Sequence, residues 1–504
     1  MPVPHVERDE AIVSSFLSDA AHVPGGFASG VAFPRNEAEV ASLVANAERV
    51  LPVGAQSSLT GGATPRGEVV LSTRAFSVLG DPADGSIRVG AGVPLSVLQQ
   101  KLAARGLYYP PVPTYNGAFV GGTIATNAAG AATFKHGSTR RWVQAATIVL
   151  ADGDVIDVVR GETQATGDGL IEIESTTGLV RNVCVPGYAM PDVPKLSAGY
   201  YAKPGMDLLD LFIGSEGTLG IVIEATLKVV ARPRRAAALI RCADDARAVA
   251  LTAMLRRHAA SAWSGQGPLD VAAIEYMDTR ALRSVPEEAL ASAGVTRPSG
   301  QAVMLLVQME VSAREEDALA TLQSVLTAAG IEDDPHLALP GDDRGAERLF
   351  NLREAVPSSV NTIVAATKQA YPDVEKTAGD MVVPFRRLAQ SIELYRTTFE
   401  TAGLDYAIWG HVSDGNLHPN VIPHSFDDVR RGREAILTIA RDVIAMGGAP
   451  LAEHGVGRSP LKQQLLRELY GTEGIEQMRA VKRALDPEWK LAPGVLFGGG
   501  SGRQ

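Results

Sequence analysis

Cysteine is nearly absent. The 504 residues hold two, Cys184 and Cys242. They form no CxxC pair, which excludes an iron–sulfur cluster and a disulfide framework and predicts two small buried apolar side chains. No Lys/Arg run stands out and the net charge is −10, so the basic stripe of a general nucleic-acid binder is missing. No apolar run reaches the roughly 18 residues of a membrane span. The charged N-terminus, MPVPHVERDEAIVSSFLSD, lacks the apolar core of a signal peptide. These absences point to a cytoplasmic protein, with peripheral contact at the inner membrane left open. Two phosphate-binding signatures are also missing. There is no GxxxxGK[ST], and VGAGVPL keeps only two glycines of a GxGxxG, which disfavours a Rossmann nucleotide site.

Glycine, by contrast, is plentiful: 51 residues, in three clusters within the first half. They are PVGAQSSLTGGATPRG (52–67), GAFVGGTIATNAAGAATFKHG (117–137) and IGSEGTLG (213–220). Glycine lets backbone N–H groups approach an anion, and Ser and Thr hydroxyls add donors. Around these loops, stretches 69–73, 86–92, 146–159 and 219–230 alternate like strands. ADGD at 151–154 signals a hairpin turn, and 94–106 reads as an amphipathic helix. ARPRR at 231–235 reads as a boundary. Beyond it, helical stretches at 244–260, 313–330 and around 431–448 mix with strand-like 302–311 and 405–412. The length requires at least two domains. Four segments are expected: 1–232 for cofactor binding, 233–445 for substrate, 446–497 completing the site, and a flexible tail at 498–504.

The order of the three loops resembles the vanillyl-alcohol oxidase and p-cresol methylhydroxylase superfamily of flavoproteins, from about Pro34 to Phe497. The resemblance implies an α+β fold: a two-part FAD-binding domain, an α+β cap with an antiparallel sheet, and a C-terminal segment returning to the flavin. It implies FAD contacts from Gly54, Ala55, Gln56, Ser57, Ser58, Gly61 and Gly62. It adds Pro113, Gly121, Gly122, Thr126, Asn127, Gly130 and Gly137, then Glu216, Gly217, Gly220 and Ile221. Gln56 stands where the family often has glycine. His136 stands where it usually has tyrosine, and a hydrogen-bonding or packing role is expected for it rather than a covalent tether.

Histidine is scarce, at nine residues, yet HVSDGNLHPN (411–420) places two of them seven apart around an Asp-Gly. If Asp414-Gly415 is a two-residue turn, His411 faces His418 on one side of a hairpin, close enough to share a metal ion. Glu453, in PLAEHGVGRSP, completes a His₂Glu set with an open fourth position. His454 is then left as a base near neutral pH.

The segments GHVSDGNLH, AEHGVG and LDPEWKLAPGVLF resemble the FAD-dependent D-2-hydroxyacid dehydrogenases: the flavin D-lactate dehydrogenases, the glycolate oxidase catalytic subunit and D-2-hydroxyglutarate dehydrogenase. The resemblance implies a divalent cation, zinc by preference, on His411, His418 and Glu453, with His454 as base. It implies that a small 2-hydroxy acid loses the hydride at C2 to flavin N5 and leaves as the 2-oxo acid. Arg353, in FNLREAVPSSV, matches the family's substrate arginine. Lys376 lies near its substrate lysine, two residues out of register. Ser413 replaces a common glycine in what reads as a turn flank. Ala492 replaces an asparagine that often lies near flavin or substrate. Lacking an iron–sulfur motif, the chain needs an external acceptor, such as an electron-transfer flavoprotein, a quinone or a cytochrome. A homodimer is one admissible assembly. The competing expectations are a group transfer like that of alkylglycerone-phosphate synthase, and a non-catalytic flavin subunit of a redox complex.

Overall fold

The computed structural model describes residues 4–111, 113–297, 300–311 and 314–498. Of the expected tail, only Gly498 falls within them.

The first half builds two four-stranded sheets. In one, the strand order is Val6–Glu7, Gly30–Ala32, Val69–Ser72, Val50–Val53. The last three run parallel, joined in part by the helix Glu37–Asn46, whose N-cap Asn36 side chain accepts from Glu39 N. The other sheet is antiparallel, ordered Ser86–Gly90, Ile221–Lys228, Val143–Val149, Val155–Val159. Its last two strands are the hairpin that ADGD signalled, closed by Leu150 N donating to Asp154 O at 2.8 Å.

After Ala231 the chain enters Arg234–Cys242, the second strand of an eight-stranded antiparallel sheet. The strands that carry the candidate site, Asp270–Met277, Tyr406–His411 and Asn416–Val421, lie side by side further across the same sheet. Both faces are buried, so alternate residues of one strand enter different cores. Ala238 and Ile240 pack with Leu251 and Leu255 of the helix Asp245–Trp263. Ala237 and Leu239 pack with Leu352, Val356 and Val360 of the helix Asp343–Ala370. Trp409 belongs to this second face, so His411, two residues on, points to the same side.

Three long helices after the boundary were not anticipated: Asp343–Ala370, Leu388–Thr401 and Pro460–Leu485. The first carries Pro357 in its interior, and the last is broken at Gly471 (φ 68°). Pro357 interrupts a helical pattern while packing sustains that helix, whereas Gly471 joins two helical pieces across a kink. Cys184 is exposed rather than buried; Cys242 is buried. The C-terminal segment returns to the first sheet, where Val50 N donates to Lys490 O (2.9 Å) and Ala492 N to Val50 O (2.8 Å). Among the described residues no helix is long and apolar enough to cross a membrane.

Candidate active site

A cavity of about 630 Å³ runs along the three glycine loops and ends at His411, Glu453 and His454. Its lining includes every residue expected to contact FAD except Gly61, Asn127 and Gly137. Those three sit behind the wall. Gly61 faces Val23. Asn127 donates to Leu196 O (3.3 Å) and accepts from Arg140 N (3.0 Å). Gly137 ends the helix Thr133–His136 against Arg141. His136 is not in the lining either; its Nε2 lies 2.8 Å from Glu310 Oε1, on the cap sheet.

The lining contains no Lys or Arg. Along the glycine loops its donors are backbone N–H groups and hydroxyls such as those of Ser57, Ser58 and Thr114, the kind of cradle that receives a pyrophosphate; the hydroxyls of Thr123, Thr126 and Ser215 already donate to backbone carbonyls. Nothing lies within 4 Å of where a Gly122 Cβ would stand, so bare backbone faces the cavity there. Gln56 has φ 55°, the left-handed region that explains the family's glycine. Its side chain is committed elsewhere: Nε2 donates to Ser15 O (2.9 Å) and Ser18 O (2.8 Å). Burial pushes the Glu216 carboxyl up to about 7, although Val456 N and Gly457 N both donate to it at 2.8 Å.

The histidine hairpin departs from its expected register. His411 pairs with Asn416, and His418 with Trp409. The turn is four residues long, with Val412–Asp414 in a 3₁₀ turn and Gly415 left-handed at φ 79°. A longer turn shifts the register by two residues, and side chains alternate with a period of two. Both histidines therefore stay on one face, diagonal rather than opposed, with ring centroids 5.4 Å apart. Ser413 is no turn flank but fully buried, its Oγ accepting from Ile274 N at 3.1 Å.

Three imidazole nitrogens surround one carboxylate oxygen. Glu453 Oε1 lies 3.4 Å from His411 Nε2, 3.3 Å from His418 Nε2 and 3.5 Å from His454 Nε2. These distances exceed the usual N–H···O range. Donors each bonded to one zinc at its usual length in a tetrahedron stand about 3.4 Å apart. The donor chemistry and spacing therefore fit a divalent cation. Asp380, His418, Glu453 and His454 also form a compact group of potential ligands. Asp380, however, is already occupied: it accepts from Glu453 N (2.8 Å), His454 N (3.1 Å) and Asn416 Nδ2 (3.1 Å). It lies 3.1 Å from His454 Nδ1 and 3.5 Å from His418 Nδ1. That is the position of an outer partner that orients imidazoles.

Glu275 does the same for His411, whose Nδ1 it holds at 2.5 Å while accepting from Arg353 Nε at 2.6 Å. Burial alone would lower His411, but the Glu275 carboxylate outweighs it and holds the imidazole up at about 9. Burial would raise Glu453 and Asp380; the Lys195 and His411 charges keep Glu453, and His454 and His418 keep Asp380, well below the usual carboxylate range. Arg353 is buried on the Asp343–Ala370 helix and spends Nη1 on Glu354 at 3.2 Å. Lys376 is outside the cavity lining, its Nζ donating to Asn361 Oδ1 at 2.9 Å. Ala492 is buried and left-handed (φ 44°) and does not line the cavity. An asparagine suits that backbone, which accounts for the family residue without any ligand contact.

The sequence reading missed Glu275, Lys195 and the part played by Asp380. A charged residue inside the apolar strand AAIEYM was the available signal for Glu275, because a buried carboxylate must be paired.

A family model for FAD-linked oxidases, C-terminal domain, matches residues 233–496, and one for an FAD binding domain matches residues 28–158. The chain belongs to the FAD-linked oxidases. It is an FAD-dependent oxidoreductase with the fold of the vanillyl-alcohol oxidase flavoproteins. It is 27% identical over 482 residues to D-2-hydroxyglutarate dehydrogenase of Stutzerimonas stutzeri, covering 93% of this chain and 91% of that one. It is 29% identical over 473 residues to D-lactate dehydrogenase of Archaeoglobus fulgidus, covering 92% and 90%. Among solved structures, 4-ethylphenol oxidase from Gulosibacter chungangensis superposes with a TM-score of 0.65 at 17% identity, covering 98% of this chain and 94% of that one. At that identity the likeness concerns the fold alone.

Proposed function

We propose that this FAD-linked oxidase converts a D-2-hydroxy acid of the lactate, glycolate or 2-hydroxyglutarate type to its 2-oxo acid. The carrying observation is the ring of His411, His418 and His454 Nε2 atoms around Glu453 Oε1, at the end of the cofactor cavity. The names of the relatives support the substrate class. In this reading residues 1–232 hold FAD, 233–445 hold the substrate, and 446–497 complete the site.

FAD, when bound, supplies the acceptor for the two electrons and the C2 hydrogen that the oxidation releases. His411, His418 and Glu453 would hold a divalent cation, which would supply a Lewis acid for the substrate hydroxyl. The chain's own residues do the rest. Asp380 engages His454 Nδ1, which leaves Nε2 as the atom that takes the hydroxyl proton. Arg353, like Lys376, lies outside the cavity lining; its Nη2 makes no hydrogen bond to the described residues and is the atom that would meet the substrate carboxylate. Lys376 serves the substrate only by releasing Asn361. An external flavoprotein, quinone or cytochrome would take the electrons onward.

The test is the flavin absorbance of the purified protein, followed anaerobically as D-lactate, glycolate, D-2-hydroxyglutarate and the L forms are added. Bleaching by a D-acid, lost on chelation or in His454→Ala, is expected. A flavin that stays oxidised with every acid, metal restored, refutes the reading.

A further inference from the structure

A three-residue strap, Lys195 to Ser197, runs between the cofactor wall and the histidine set. On one side Leu196 O accepts from Asn127 Nδ2 (3.3 Å), and Ser197 Oγ donates to Thr126 O (3.1 Å). Both partners lie in the second glycine loop, just after the helix Val120–Ala125. On the other side Ser197 N donates to Leu451 O (3.1 Å). Lys195 Nζ reaches Glu453 Oε2 at 3.0 Å and Asp414 Oδ2 at 3.2 Å. The side chains of Lys195 and Asp414 are 0% exposed. An ammonium taken wholly out of water is costly unless its partners are well placed.

Glu453 thus has two differently used oxygens. Oε2 is taken by the lysine, and Oε1 is the atom the three imidazoles surround. We propose that Lys195 is a positioning residue: it fixes Oε2 so that Glu453 offers a divalent cation one oxygen, Oε1, and it does so from a strap that also buttresses the cofactor wall. The proposal rests on the reading of His411, His418 and Glu453 as the cation's ligands.

Two roles for this ammonium have opposite signs. By charge alone it repels a dication, so its removal would tighten binding. As a positioner, its removal frees Glu453 to rotate, Oε1 is no longer held among the three imidazoles, and binding weakens. Asp414, on the far side of Nζ, offsets the lysine charge, and the geometry favours the second role.

The experiment uses the full-length, FAD-loaded protein, stripped with a chelator and titrated with Co²⁺. Affinity is read by chelator competition, and coordination by the visible absorption of bound cobalt. Lys195→Met is expected to bind about 10–100-fold more weakly, the range for losing a partner that orients a ligand, with an altered cobalt spectrum. Asp414→Asn, which releases Lys195 from one side, is expected to show a smaller fall in the same direction. Thermal unfolding of the metal-free forms checks that the fold is intact. Tighter or unchanged binding with the wild-type spectrum in Lys195→Met overturns the positioning role. If that variant does not fold, wild-type affinity and spectrum in Asp414→Asn overturn it. A wild-type protein that takes up no Co²⁺ removes the cation reading and the positioning role together, an outcome distinct from equal binding by both forms.

Discussion

Glu275→Gln tests whether one buried carboxylate organises two functional side chains. Glu275 is 2% exposed and accepts from Arg353 Nε at 2.6 Å and His411 Nδ1 at 2.5 Å. A glutamine keeps one acceptor and turns an N–H₂ toward the other donor. Arg353, itself buried, is left with Glu354 alone. Removing one partner of a buried pair costs about 3–5 kcal/mol, because the remaining charge is uncompensated. Burial would raise the Glu275 carboxyl, but Arg353 and His411 outweigh it and hold it well below the usual range. Its stabilisation is therefore present at neutral pH, above the ordinary value of 4.5, and lost in acid. Denaturant unfolding at neutral pH should show the full loss in Glu275→Gln. Glu275→Gln with Arg353→Met should recover part of it, with a coupling of about 1–3 kcal/mol. Cation affinity should fall about 10–100-fold, since His411 loses its orienting partner. A single variant within about 0.5 kcal/mol of wild type, the size of an ordinary surface change, would refute the reasoning.

Ala492→Gly should stabilise the protein by about 1 kcal/mol, because a left-handed non-glycine residue costs roughly 1–2 kcal/mol; an unchanged or lower Tm contradicts this. Gly457→Ala should lower the flavin-to-protein ratio. Its Cβ would stand 2.1 Å from Thr60 Oγ1 in the first glycine loop, at φ 57°, and a full flavin complement in that variant would show that this close packing does not shape the cofactor loop. Glu216, raised by burial to about 7 from 4.5, favours the folded state while protonated, so that contribution is complete below about 4.5 and gone above about 7. Glu216→Gln should flatten the fall of Tm with rising pH across that window, and equal slopes in both proteins would show that Glu216 does not titrate there.

What the sequence determined was local chemistry. The glycine loops were legible because close backbone approach to a phosphate needs residues without a Cβ. The histidines and Glu453 were legible because such side chains are rare and their alternation along a strand fixes which face they take. Even a wrong turn length left His411 and His418 on the same side, since the error was two residues. What only the tertiary structure decided was the set of partners. Glu275 lies 136 residues from His411, and Lys195 lies 258 from Glu453. No periodicity encodes such pairings, because each comes from packing two separately formed elements together. The same holds for Lys376, whose sequence neighbourhood points to the substrate while the fold sends its ammonium to Asn361. The candidate reacting groups are written in short motifs; the groups that touch and orient them are supplied by the fold.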